Sequence, residues 1–434
     1  MSKKHILMIT NHGIHEWDPQ PGLPDTGGQN LYVNQLSRTL ADMGYRVTIA
    51  NRGGYPDPRT GEPRTGIRKK DKDQKIVYLE DENDKFVRKE EMKPYIPELR
   101  ECLHTYLERE GDEIDLIISH YWDGALLGLQ LNKVLDNPVP HIWVPHSLGA
   151  IKKRNVPEER WADLKIDERI ETEKEMIDAF DYTVATSALI RTSLSEDYGR
   201  EASLFLPPCI RTERFHPRDV PGDNEIWSFL AGISSRSGQK MKEASYIIEI
   251  SRTDRTKQKG LLIRAFSEVL KRSGRSDLYL ILSLGERKKE LYGELRDLIE
   301  SLGIGEQILE IGFEVERLPW LYAVSSVYCS PSIMEGFGMS VQEAAATAVP
   351  AVGSRHIPFL TEYLSRPSDE GVAGAIVVEE QEPKAYADAL TWMLEHESER
   401  KAMGKRALDI TIPAFTWEES TKVLLDAIGF RDKR

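Results

Sequence analysis

The chain has 434 residues, and its 58 basic against 71 acidic side chains leave a net charge of −13. That length suggests roughly two or three domains, with cores large enough to need no disulfide or metal staple, and 40% apolar with 30% charged residues is ordinary globular composition. The acidic surplus argues against long tracks for nucleic acid or anionic lipid, yet leaves room for small phosphate sites built from a few well-placed cations.

Cys102, Cys209 and Cys329 lie far apart and form no CxxC pair, so a reduced, cytoplasmic setting is expected. The apolar run at 5–10 is too short for a secretory leader. No stretch approaches the roughly eighteen apolar residues of a membrane span, so no stable membrane insertion is expected.

Residues 6–9 read as a short buried strand. A helix is predicted over 30–43, where Val33, Leu36, Leu40 and Met43 recur at helical spacing and Gly44 supplies the stop. Strands follow at 47–50, 116–118, 142–144 and 183–185, and the polar stretch 57–75 is expected to be an exposed excursion. Short apolar runs separated by helices indicate parallel βαβ units covered on both faces. Pro207, Pro208, Pro217, Pro221 and the polar stretch 234–242 then interrupt the pattern, as a domain joint would. Alternation resumes with strands predicted at 246–248, 278–282, 308–311, 327–329 and 350–352. The chain closes on an amphipathic helix from Phe415, with Leu424, Leu425 and Ile428 on its apolar face. Two doubly wound α/β halves of roughly 200 residues each account for the length. Ligands in such folds sit at the carboxyl ends of strands, so a cleft between the halves is the expected site.

The sharpest motif is SIMEGFGMSVQE at 332–343, a glycine-punctuated loop that follows a strand and opens an Ala-rich helix near Ser340. Backbone N–H groups at such a helix start, approached closely past glycine, suit a diphosphate. Glu335 on the loop and Glu343 in the helix could accept hydrogen bonds from sugar and ribose hydroxyls; alternatively Ser340 and Glu343 form a capping box. At 25–29, DTGGQ again sets paired glycines before a helix, or else makes a capping box of Thr26 and Gln29. It lacks the third glycine of GxGxxG and any Walker lysine, so neither a nicotinamide nor a P-loop site fits.

His146 in HSLG (146–149) and His120 in SHYWDG (119–124) each follow a strand, where a histidine is either a site residue or structural; Asp123 could be a helix N-cap. Arg252 and Lys257 in SRTDRTK (251–257) place two cations at a strand end, suited to a diphosphate or simply solvated. Lys85, Arg88, Lys89, Lys152, Lys153 and Arg154 add basic clusters in the first half.

These motifs, in this order and over nearly the whole chain, resemble the retaining family-4 glycosyltransferases of the GT-B fold. Within them the likeness is to the branch containing sucrose-phosphate synthase, mannosylfructose-phosphate synthase and the inositol-phosphate transferase of mycothiol synthesis. The resemblance implies two Rossmann-like doubly wound domains facing an interdomain cleft: an acceptor domain at 1–220, a nucleotide-sugar domain at 221–414, and a helix at 415–434 returning to the first.

The resemblance also implies roles. Glu335, Gly336, Phe337, Gly338, Met339 and Ser340 would hold the donor hexose and diphosphate, largely through backbone amides, and Glu343 the ribose. Arg252 and Lys257 would neutralise the leaving group, and His146 would contact the donor sugar near the reacting centre. Gly27, Gly28 and Gln29 would form the floor between donor and acceptor. Lys89 matches the position that binds an acceptor phosphate in relatives, with Lys152, Lys153, Arg169, His120 and Asp123 as further acceptor residues. Retention in this family implies front-face attack without a covalent enzyme intermediate, the leaving diphosphate helping to accept the proton.

The implied reaction moves glucose or mannose from UDP-glucose or GDP-mannose to a small phosphorylated acceptor, as in compatible-solute synthesis. No cofactor or metal is required, with magnesium stimulation left open. The alternatives are a non-phosphorylated acceptor (a glycerate, glycan or lipid carrier), an NDP-sugar epimerase on the same fold, and a silent nucleotide-sugar-binding scaffold. Two departures stand out: residues 353–359 replace the Gly-Gly-Pro-containing loop common in these synthases and bring in Arg355, and the stretch 218–244 has no assigned counterpart.

Overall fold

A computed structural model describes residues 3–18, 23–234, 238–285, 289–312 and 316–431. The chain divides into two compact units, Met1–Pro208 with Ser420–Arg434, and Cys209–Glu419. The division falls at Pro208, not at 220: the prolines at 217 and 221 already lie inside the second unit.

The first unit is built on strands β1 (His5–Ile9), β2 (Arg46–Arg52), β3 (Ile67–Lys69), β4 (Gln74–Leu79), β5 (Leu116–His120), β6 (His141–Val144), β7 (Tyr182–Ala185) and β8 (Leu204–Phe205). Their order is β3-β4-β2-β1-β5-β6-β7-β8, parallel throughout except for the β3–β4 pair. Every residue of β1, β5 and β6 is buried, as expected of parallel strands covered on both faces. Leu7, Ile9, Ile117 and Trp143 lie in one core with Leu99, Leu103, Ala125 and Leu127 from the covering helices.

The second unit carries β9 (Ser245–Glu249), β10 (Leu278–Ser283), β11 (Ile308–Ile311), β12 (Val327–Ser330), β13 (Ala351–Ser354) and β14 (Ala375–Val378), all parallel. The order β11-β10-β9-β12-β13-β14 is that of a doubly wound nucleotide-binding sheet. In both sheets the winding reverses once, between β1 and β5 and between β9 and β12. That reversal opens a crevice at the carboxyl ends of the two strands, and the loops that leave β1, β5, β9 and β12 carry four of the motifs, with HSLG after β6.

Several elements differ from expectation. Strands β3, β4, β8 and β14 are additional. The stretch 57–75 is not wholly exposed: Arg64 and Asp57 are buried, and Arg64 donates to Glu16 Oε1 at 2.7 Å and to the His15 carbonyl at 2.7 Å, which pins the excursion against the loop after β1. The stretch 218–244 contributes helices Glu225–Ser234 and Gly238–Lys242, with 235–237, part of the supposed joint, outside the described residues.

Candidate active site

In the second unit, the loop after β9 is shaped by Asp254, whose carboxylate accepts from the Thr256 N–H (3.0 Å) and hydroxyl (2.8 Å). This turn brings Lys257, nearly buried, to Glu335 Oε1 at 2.5 Å and the Met334 carbonyl at 3.4 Å. Two bonds stitch this loop to the one after β12: the Ile333 N–H (2.9 Å) and the Ser332 hydroxyl (3.3 Å) both reach the Thr256 carbonyl. Beneath them the buried ammonium of Lys259 pairs with Glu249 and donates to the Ser251 carbonyl at 3.2 Å. Arg252 is exposed, with no ion-pair partner among the described residues.

Gly338, at φ +108°, is the N-cap of the helix Met339–Ala346, and a Cβ there would stand 2.6 Å from Ile357 Cγ2. Ser340 and Glu343 therefore do not form a capping box; the helix begins one residue before Ser340 on a conformation that favours glycine. Gly336 and Met339 are exposed, whereas Phe337 is buried against Phe359, Tyr363 and Phe415. Phe337 thus anchors the loop with its ring, and its carbonyl accepts from the Phe359 N–H at 2.7 Å. The Glu343 carboxyl accepts from the Tyr322 hydroxyl at 3.0 Å. Its site is deep although the residue keeps some exposed surface, and burial pushes its pKa up to about 7. Tyr322, far away in sequence, was not among the expected site residues.

In the first unit, Gly27 and Gly28 are exposed at the start of the helix Gly28–Asp42, and a Cβ on either would meet nothing within 4 Å. Packing therefore does not require glycine at either position. The Gly27 N–H donates to Asn30 Oδ1 at 2.9 Å, while Thr26 bonds back to Ile14 and Gln29 to Thr10 (3.0 Å), so the alternative of a Thr26–Gln29 capping box is not met. Asn30 is held in turn by His15, and His15 by Asn34, each at 3.0 Å.

Asp123 is not an N-cap. That position is His120, and Asp123 lies in the first turn of Tyr121–Asn132, fully buried, with both carboxylate oxygens on His12: Oδ1 with the ring at 2.9 Å, Oδ2 with the N–H at 3.0 Å. His120 is also fully buried, its Nδ1 2.9 Å from Nε2 of His146. Burial drives the pKa of His120 far below its ordinary value and that of His146 down to about 3.

A pocket in the same unit is lined by Lys89, Lys93, Lys152, Lys165 and Arg169, with Glu90 and Glu168, against Tyr121 and Trp122. Arg169 is fixed by Glu173 (2.7 Å) and the Ser147 carbonyl (2.6 Å), and Lys152 by Glu90 (2.9 Å). Lys89 pairs with Asp25, whose backbone is left-handed at φ +46°. Burial opposes the charge on Asp25, but Lys89 outweighs it and holds the carboxyl below its ordinary range. Of the expected acceptor residues, Lys89, Lys152 and Arg169 share this pocket; Gln29, His120, Asp123 and Lys153 do not line it. Lys153 points outward to Asp167 at 2.6 Å. Lys93 and Lys165 complete the pocket without having been singled out, since single lysines in polar stretches carry no sequence signal.

Among the described residues, no three His, Cys, Asp or Glu side chains converge as a metal cluster, and no helix is long and apolar enough to cross a membrane.

Residues 26–214 match the Glycosyltransferase Family 4 family, and residues 233–409 match Glycosyl transferases group 1. The chain is 28% identical over 369 residues to mannosylfructose-phosphate synthase of Agrobacterium fabrum, covering 81% of this chain and 76% of that protein. It is 27% identical to D-inositol 3-phosphate glycosyltransferase of Corynebacterium jeikeium, covering 93% and 92% of the two chains. Among solved structures, sucrose-phosphate synthase from Thermosynechococcus elongatus superposes with a TM-score of 0.74 at 21% identity, covering 98% of both chains.

Two parallel-sheet α/β domains with these loops at their carboxyl ends define a GT-B glycosyltransferase. The first half thus matches a Glycosyltransferase Family 4 domain and the second half a Glycosyl transferases group 1 domain.

Proposed function

We propose that this enzyme is a retaining hexosyltransferase that moves glucose or mannose from a nucleotide diphosphate sugar to a small phosphorylated acceptor. The observation that carries the acceptor reading is the pocket in the first unit, where Lys89, Lys93, Lys152, Lys165 and Arg169 converge beside Tyr121 and Trp122, each cation paired with a carboxylate that an arriving anion would compete with. Such a pocket favours a compact dianion, because Arg offers a fork of donors and Lys a point charge. Gly27 and Gly28, free of any packing demand, lend support to a backbone approached closely by a ligand.

On the donor side, Arg252, Lys257 and the N–H groups opening Met339–Ala346 supply the positive field for a departing diphosphate, and Glu335 and Glu343 accept from hydroxyls. His146 contacts the donor sugar. Catalysis is positioning plus leaving-group stabilisation: the acceptor hydroxyl attacks from the face the diphosphate leaves, and a diphosphate oxygen takes its proton. The reaction is tested by release of nucleoside diphosphate from UDP-glucose or GDP-mannose with hexose phosphates and inositol phosphates as acceptors. Turnover should require the phosphate, and equal rates with the dephosphorylated sugars would remove the acceptor reading. Donor turnover with no acceptor present would favour an epimerase.

A further inference from the structure

His120 and His146 end up ring against ring for reasons the motif strings do not reveal. β5 and β6 are adjacent and parallel, with His120 opposite Val144, so His120 closes one strand while His146 lies just beyond the end of its neighbour. His146 has a left-handed backbone at φ +55°, a conformation few non-glycine residues adopt. The ring centroids are 5.1 Å apart and the planes 27° apart, so the rings lie end to end, and Tyr32 stands edge-on to His146 at 4.8 Å. Tyr32 is itself tied to the Leu206 carbonyl at 2.8 Å.

A 2.9 Å approach between two imidazole nitrogens holds one hydrogen. Two arrangements satisfy it. If His146 Nε2 donated, His120 would carry its own hydrogen on Nε2, which is buried and has no partner. If His120 Nδ1 donates, that Nε2 is a bare lone pair instead. Orphaned buried N–H groups are rarer in proteins than under-satisfied acceptors, which favours the second arrangement.

We propose that His120 is a positioning residue: its Nδ1–H, bonded to Nε2 of His146, holds His146 as the Nδ1–H tautomer, so His146 meets its ligand as a hydrogen-bond donor to a hydroxyl or phosphate oxygen. This rests on the reading that His146 contacts the donor sugar. It reverses the Nε2–H preference of free histidine and makes the second ring, not the pH of the medium, the determinant of which nitrogen carries the hydrogen. The charged and titratable neighbours are His12, held by Asp123 on the loop after β1 and its facing helix, and His15 from the same loop.

The test is the ¹⁵N spectrum of the whole enzyme labelled at histidine, with the two residues assigned from His120→Asn and His146→Ala. The wild type should show His146 protonated at Nδ1 and bare at Nε2, and a protonated Nε2 there overturns the proposal. His120→Asn places an amide N–H where Nδ1 stood and should keep the tautomer and most of the turnover. His120→Phe should move His146 towards Nε2–H and lower turnover about 10- to 100-fold, the scale of one hydrogen bond to developing charge. An unchanged His146 spectrum in folded His120→Phe would also refute it. If His146→Ala keeps full turnover while the wild-type tautomer is as stated, the sugar-contact reading fails and the tautomer assignment stands.

Discussion

Nζ of Lys257 lies 2.5 Å from Oε1 of Glu335, so the cation that closes the β9 turn and the carboxylate that opens the β12 loop neutralise one another across the reversal in strand order. Under the proposed reaction, a diphosphate arriving at this crevice would compete with Glu335 for Lys257 and find Arg252 without an ion-pair partner among the described residues.

Lys257→Ala and Arg252→Ala should therefore each lower turnover by about 100-fold. Arg252 is exposed, so its loss should change stability by no more than about 0.5 kcal/mol, while Lys257→Ala also strands Glu335 and costs more. Steady-state release of nucleoside diphosphate, alongside thermal unfolding, separates the two effects. Near wild-type turnover in both variants would remove these residues from the chemistry.

If the cationic pocket of the first unit takes the acceptor as proposed, Lys89→Ala and Lys165→Ala should each raise acceptor KM about tenfold or more, with donor KM little changed. Lys165 is the cleaner probe, because its partner is the half-exposed Glu91 at 2.7 Å, whereas Lys89 holds Asp25 beside the paired glycines. Lys153→Ala should be silent, since its side chain faces Asp167 at the surface. Equal losses in donor binding would refute the acceptor assignment.

The glycines separate ligand approach from packing. Gly338→Ala should destabilise by roughly 1–3 kcal/mol, because φ +108° and the contact with Ile357 both oppose a side chain. Gly28→Ala should leave the melting temperature unchanged while lowering turnover, since its Cβ would meet only open space within the protein. A matched fall in stability for both would show that each is a packing glycine.

Acid should act on the two units in opposite directions. His5, His15, His120, His141 and His146 all lie in the first unit, and burial lowers each from 6.5, to about 4 for His5 and His15 and about 3 for His141 and His146. Below pH 6.5 the unfolded chain binds protons that the native unit refuses. Stability present above pH 6.5 is thus lost as pH falls, at up to about 1.4 kcal/mol per pH unit for each histidine. Glu343, in the second unit, is raised from 4.5 to about 7 by burial. Between those values the native state keeps a proton that the unfolded chain releases, so this contribution to stability falls as pH rises from 4.5 to 7. Calorimetry at pH 7.5 and pH 5 should show the first unit's transition moving down, and Glu343→Gln should raise the second unit's transition at pH 7.5. A pH-independent melting profile would refute both assignments.

Helical spacing at 33–43 and the continuous apolar runs at 6–9 and 278–282 are enough to place those elements, because parallel strands covered on both faces are predominantly apolar. β4 escaped notice because it begins on Gln74 and Lys75 at the edge of a polar stretch, and β14 because four apolar residues carry no period. The order of the motifs indicated a glycosyltransferase, the class to which both matching domains belong.

Which residues meet was settled only by the folded chain. Asp123 turned to His12, Glu343 to Tyr322, and His120 to His146, while Lys153 left the pocket that Lys165 entered. Local periodicity and loop chemistry are written in neighbouring residues and act over a few ångströms of backbone. Pairings such as these depend on strand order and on single backbone angles, at His146 and Gly338, which only long-range packing imposes.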